Sequence, residues 1–95
     1  MAQFLILYNG GFYMSIEKIS VIDQIEVTEK GFIQIRRADK IMEDGKELSR
    51  SYHRTSLAPG DDLTGQDDRV KAIAQAVWTA EVITAYQAQL ANRKI

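Results

Sequence analysis

His53 is the single histidine of the 95-residue chain, and there is no cysteine. Thiol nucleophiles, disulfides and zinc–thiolate sites are excluded, and His53 is the first place to look for general base chemistry. A histidine base needs a substrate proton or nucleophile in reach and a third group that orients its ring. Its strand neighbours Ser51 and Thr55 share its face, and the strand pairing given below places Arg36 across from it. No carboxylate falls beside it in that pairing. The pattern predicts a solvent-facing histidine. Arg36 and His53, with Tyr52 beside them, are the residues a small enzyme or ligand-binding domain would use. An open sheet face, however, lacks the enclosed pocket that such a domain needs.

The acidic run Asp61-Asp62-Leu63-Thr64-Gly65-Gln66-Asp67-Asp68 is the other place to look. A calcium loop needs acids at alternating positions, a glycine at the sixth and a closing glutamate, and the run does not match. Acids around a first helical turn serve as caps and complement the helix dipole. No metal and no cofactor are predicted. Arg36, Arg37, Arg50 and Arg54 could form a basic patch, but Arg37 and Arg50 are expected to face acids, so paired or solvated roles are favoured. There is no glycine-rich phosphate loop and no internal repeat.

The bulk numbers bound the class. Hydrophobic residues make up 45% and charged residues 26%, which is too apolar for a disordered chain. Twelve basic against 13 acidic residues leave a net charge of -1. Such balance gives no electrostatic footprint for nucleic acid or an anionic membrane, and neither is expected as a partner. No apolar run approaches the roughly 18 residues of a membrane-spanning helix.

The elements that must position these residues divide at Pro59-Gly60. Before it, Ile19, Val21, Ile25, Val27, Ile33, Ile35 and Ile41 fall largely at alternating positions, the signature of strands with one buried face. Glu29-Lys30-Gly31 reads as a three-residue hairpin loop with Gly31 at positive φ. That loop sets Val27 against Ile33, Ile25 against Ile35, Asp23 against Arg37 and Ile19 against Ile41. Asp44-Gly45 reads as a two-residue hairpin turn. It sets Ile41 against Leu48, Asp39 against Arg50 and Arg37 against Tyr52. A loop one residue longer would turn Ser49, Ser51 and His53 inward, an unpaired polar set that is costly to bury. The expected core face is Ile19, Val21, Ile25, Val27, Ile33, Ile35, Ile41, Leu48 and Tyr52. Ser20, Gln24, Gln34, Arg36, Lys40, Ser49, Ser51, His53 and Thr55 face out.

After the corner, Thr64 and Asp67 resemble a capping box, and Val70, Ile73, Ala74, Val77 and Trp78 follow at helical spacing. The next apolar set, Val82, Ile83, Tyr86 and Leu90, would point to the opposite side of one continuous helix. A break near Thr79, with Thr79 capping a second helix, removes that conflict. Two helices, 66–78 and 80–92, are preferred to one bent helix, and Arg93 and Lys94 suit the C-terminal end. The fold class is α+β: a three-stranded antiparallel β-meander over about 16–58, then two C-terminal helices over about 65–92, packed on one face. Trp78, Val82 and Tyr86 are core or helix-contact residues, and they are the anchors of an interface if they are exposed.

Residues 1–13 stand apart from residues 14–95, which read as a single α+β domain. The run Ala2-Gln3-Phe4-Leu5-Ile6-Leu7-Tyr8 could add an edge strand. The preferred reading is that Gly10-Gly11, shortly before Met14, translates a purine-rich ribosome-binding sequence, so that Met14 is the native start.

Glu43-Asp44-Gly45-Lys46, Ser51-Tyr52-His53-Arg54, Pro59-Gly60-Asp61-Asp62-Leu63 and Val77-Trp78-Thr79-Ala80-Glu81-Val82 together resemble a group of small uncharacterised proteins. These are encoded by tailed bacteriophages and prophages, often near tail genes. The resemblance covers about Ile19 to Tyr86. A proline often follows the Trp-Thr pair in that group, and here the position is Ala80. The resemblance implies a phage origin, a virion or tail-accessory role, and a location in the host bacterial cytoplasm during assembly or in the virion. It carries no functional residues over. The expectation is a non-enzymatic protein acting through contact with a phage virion or host protein, or with itself. A modulator of a host protein is one alternative, and the His53, Arg36 and Tyr52 ligand site is the other.

Overall fold

The computed structural model describes residues 2–7 and 13–93, with side-chain environments from residue 15 onward. Gly10, Gly11 and Lys94 lie outside the described residues. The order of elements is β1 (Ala2–Leu7), β2 (Tyr13–Val27), β3 (Ile33–Glu43), β4 (Lys46–Leu57), α1 (Asp68–Val77) and α2 (Ala80–Ala91). The class is α+β, an antiparallel sheet followed by two C-terminal helices. The sheet has four strands in the order β1-β2-β3-β4, one more than the meander expected from the sequence. The extra strand is β1, which lies antiparallel at the edge beside β2, from Ala2 opposite Lys18 to Leu7 opposite Tyr13.

The described residues fall into two compact units, Met1–Gln24 with Arg36–Arg54, and Ile25–Ile35 with Thr55–Ile95. In the first, the turn between β3 and β4 is the expected two-residue one. Asp44 (φ 48°) and Gly45 (φ 82°) both have positive φ, the requirement of a type I′ turn. Asp44 also ties the turn to β2, since its N–H donates to the Ser15 carbonyl at 3.1 Å and its Oδ1 accepts from the Ser15 N–H at 3.3 Å.

In the second unit, the β2–β3 loop is the expected Glu29-Lys30-Gly31. The Thr28 N–H donates to the Phe32 carbonyl at 2.9 Å, and the Phe32 N–H returns to Thr28 Oγ1 at 3.1 Å. Gly31 has φ +91°, which only glycine adopts without strain. Ile33, Ile35, Leu57, Val70 and Ala74 are buried in this unit, and Ala38 in the other. The helix break also falls where the apolar phase reverses. Thr79 caps α2, its hydroxyl accepting from the Val82 N–H at 3.3 Å. The α1 cap differs from the expected one. Asp67 is the N-cap residue and accepts from the Arg69 N–H at 2.9 Å, so α1 begins two residues later. Thr64 is instead drawn to Asp62 Oδ1 through both its N–H (3.0 Å) and its hydroxyl (2.7 Å). A short acid competes with helix in this way by bonding its own following backbone.

The register departs from expectation in one consequential way. In the first unit Asp23 meets Arg36, and Ser20 meets Asp39, where the turn's register would give Arg37 and Lys40. Both contacts share one offset, so within the first unit β2 is displaced by one residue against β3 from the expected register. A displacement of one turns every later side chain to the other face. The expected single apolar face is also wrong for part of its length. Val27, Leu48 and Tyr52 are 43%, 51% and 43% exposed, while Ala38 is fully buried.

Gly31 offers a direct test of the turn end. A Cβ there would sit 2.7 Å from Val82 Cγ1, as well as holding a non-glycine residue at positive φ. Gly31→Ala is expected to cost about 1–3 kcal/mol in chemical denaturation. In a Val82→Ala background the clash is gone, so the cost should fall by more than about 0.5 kcal/mol, the usual limit of additivity. Equal costs in the two backgrounds would contradict the packing.

Candidate functional site

Two side-chain clusters form in the first unit. The first centres on Tyr52. The Arg36 guanidinium lies 4.4 Å from the Tyr52 ring centroid, Arg50 lies 5.9 Å away and Arg54 6.0 Å. Cations over an aromatic face are attracted by its quadrupole, and arginine adds planar stacking. Two carboxylates offset the charge. Asp23 accepts both forks of Arg36, Nε at 2.9 Å and Nη2 at 2.8 Å. Glu47 accepts both forks of Arg50, Nε at 3.0 Å and Nη2 at 2.8 Å. The hydrogen bond from Arg36 holds the Asp23 carboxyl below its ordinary value of 3.8, and the one from Arg50 does the same for Glu47. Arg54 has no ion-pair partner among the described residues.

The second cluster centres on Asp39, which is 8% exposed. Its Oδ1 accepts from the Ser20 hydroxyl at 2.6 Å and from Arg37 Nε at 3.0 Å. His53 Nε2 stands 4.0 Å from Oδ2, an ion pair only when the imidazole is protonated. The Ser20 hydroxyl and then Arg37 hold the Asp39 carboxyl below 3.8.

Several expectations are corrected here. A carboxylate does stand beside His53, where none was expected. Arg36 is not the partner of His53; it stacks on Tyr52 instead. Tyr52 is an exposed residue of the Arg36 cluster and not a core residue. Asp23 pairs with Arg36 rather than Arg37, and Arg50 pairs with Glu47 rather than Asp39. The displaced β2–β3 register accounts for Asp23 meeting Arg36, whereas the Arg36–Tyr52 and His53–Asp39 contacts depart from the expected β3–β4 register and the Arg50–Glu47 pair lies within β4. The ligand face built on Arg36 and His53 is thus divided, each residue joining a different cluster. Ser20 donates its hydroxyl hydrogen bond to Asp39 and not to an imidazole, and the His53 side chain is 65% exposed.

The three expected interface anchors lie in the second unit and contact the β2–β3 turn. Trp78 Nε1 donates to the Gly31 carbonyl at 2.7 Å, Val82 packs over Gly31, and Tyr86 meets Phe32 edge-on at 5.3 Å between centroids. All three are half-buried. An open depression runs along α2, with Glu29, Lys30, Glu81, Tyr86 and Gln89 in its lining. Asp61 and Asp62 bond within the corner, and Asp67 caps α1.

The residues sequence reasoning missed are Asp39 and Ser20, along with the Tyr52–arginine grouping. The only signal available was the alternation of Arg50, Tyr52 and Arg54, which places them on one side of a strand.

Asp39 makes the protein acid-sensitive in a defined window. A carboxyl whose folded pKa is depressed contributes stability above its unfolded value, and that contribution is lost as pH falls through the folded value. Loss should begin near about pH 4, the unfolded value, and continue below it. The difference in denaturation midpoint between pH 7 and pH 3 should be smaller in Asp39→Asn than in the native chain. An unchanged difference would show that Asp39 gains nothing from Ser20 and Arg37. No protein-family model, no curated protein and no solved structure matches the chain.

Proposed function

We propose that the chain is a non-enzymatic accessory or structural protein of a bacteriophage, virion- or tail-associated, that works through protein–protein contact along β4. The observation that carries this reading is the state of β4. It is 12 residues long, stands at the edge of the sheet, and is exposed throughout except for Leu57. An edge strand presents a row of unpaired N–H and C=O groups to any second extended chain. Leu48 and Tyr52 add exposed apolar and aromatic surface to that edge. Arginine and tyrosine are enriched where protein contacts are strong, and here they stand together. Trp78, Val82 and Tyr86 are engaged within their own unit, which leaves β4 as the better-supplied surface. The resemblance of the Glu43–Lys46, Ser51–Arg54, Pro59–Leu63 and Val77–Val82 runs to small phage proteins supports the phage setting. No helix among the described residues is long and apolar enough to cross a membrane.

Capture from a phage lysate, together with light scattering of the free protein, tests this reading. The native chain should enrich a virion or host protein, or self-associate, and Tyr52→Glu should reduce that at least tenfold while the fold is retained. Enrichment of a host protein in place of a virion protein would make the chain a modulator. A strict monomer that enriches nothing, or capture unaffected by Tyr52→Glu, would contradict contact through β4.

A further inference from the structure

The surroundings of Tyr52 narrow the kind of partner, on the footing that β4 is the contact strand. Charge is unevenly spread. The whole chain carries -1, yet β4 holds Lys46, Arg50 and Arg54 against Glu47 alone, apart from His53. Arg36 joins Arg50 and Arg54 at the Tyr52 ring, so three guanidinium groups face two carboxylates, Asp23 and Glu47. Asp23 and Glu47 each accept two bonds, from Arg36 and Arg50 respectively. Arg54 is left without an ion-pair partner among the described residues. The fork of Arg54 can take a carboxylate in two parallel hydrogen bonds, which a lysine would not do. Arg50, whose Nε and Nη2 are held by Glu47, would meet a second carboxylate through its Nη1 side.

Strand geometry converts this into a spacing. Alternate residues of a strand lie on one side and repeat every ~7 Å, so Arg50 and Arg54 are separated by about 13 Å with Tyr52 between them. A strand added beside β4 has the same repeat, and its side chains on that side also occupy alternate positions. We propose that β4 takes an extended acidic segment of a partner protein as an added strand, with two carboxylates four residues apart against Arg50 and Arg54 and an apolar or aromatic side chain between them against Tyr52. The backbone edge supplies affinity, and the arginine–tyrosine–arginine row supplies the choice of sequence. The spacing reads the same in both directions, so it holds for a parallel or an antiparallel segment. The excess positive charge also speeds encounter with an acidic chain, which makes the contact salt-sensitive.

The probe is a synthetic peptide with Glu-Thr-Val-Thr-Glu at its centre and threonines at both ends, titrated into the full ¹⁵N-labelled chain. Saturable amide shifts are expected along β4, weakened about tenfold by Arg54→Gln and by Tyr52→Ala, each checked for unchanged amide positions in the second unit. The same peptide with lysine in place of both glutamates should not bind. No saturable shift, equal binding of the lysine peptide, or shifts confined to residues outside β4 would overturn the proposal. Tighter binding of a thymidine oligonucleotide at the same amides would also overturn it, as would light scattering showing that a second copy of the chain already covers the edge. Where the peptide fails but lysate capture still depends on Tyr52, the acidic preference is wrong and contact through β4 stands.

Discussion

The one-residue displacement of β2 against β3, seen where Asp23 meets Arg36 and Ser20 meets Asp39, is the constraint on which the ion pairing between these two strands of the first unit depends. A strand has two sides and a period of two, so a displacement of one residue exchanges those sides. Asp23 is thereby brought to Arg36, and Ser20 to Asp39. Each contact uses a charged group that would otherwise face solvent or a mismatched neighbour. The bidentate Asp23–Arg36 pair holds the guanidinium where it can lie over Tyr52, and it is partly shielded, with side-chain exposures of 17% and 27%. A separate departure from the expected register lies between β3 and β4. The two-residue turn alone would place Arg36 opposite His53, whereas Arg36 lies on Tyr52 and His53 approaches Asp39. The polar chemistry of the unit is thus distributed over two clusters that share no residue.

The second unit is organised around one glycine. Gly31 must have a positive φ to close the hairpin loop, and its missing side chain lets Val82 lie directly over the turn. Trp78 then donates its indole N–H to the Gly31 carbonyl, which a turn would otherwise leave to water. Tyr86 meets Phe32 one turn further along α2. These contacts come from the residues on either side of the break at Thr79, so the break is what allows both helices to serve the same turn. Spending Trp78, Val82 and Tyr86 in this way leaves the aromatic and arginine surface of β4 as the richest exposed grouping among the described residues.

Much of this was legible in the sequence where a residue type has a single structural use. Gly31 at the end of a three-residue loop, Asp44-Gly45 between two strand patterns and Thr79 at a reversal of helical phase each named their turn or cap before any coordinate. The displacement between β2 and β3 was not legible, because β2 carries no glycine or proline to mark it. Tyr52 in the core, Arg36 beside His53 and no acid near the imidazole were misplaced separately, through the β3–β4 register that the Asp44-Gly45 turn alone does not set. The start of α1 was missed for a different reason. Thr64 and Asp67 are both good caps, and the choice between them rests on Asp62, which captures Thr64. The site on β4 was visible only as alternating Arg50, Tyr52 and Arg54, a pattern that an ordinary solvated strand also shows.

The central claim is that β4 is an open edge held ready for another strand. Amide hydrogen exchange along Lys46–Leu57 in the free protein addresses it most directly. Half of these N–H groups should point to β3 and the other half outward, so the claim predicts alternating slow and fast exchange along the strand, the fast set exchanging nearly as in an unfolded chain. Uniformly slow exchange would mean that the edge is already covered. Uniformly fast exchange would mean that β4 is not held in the sheet, and either result would contradict the account.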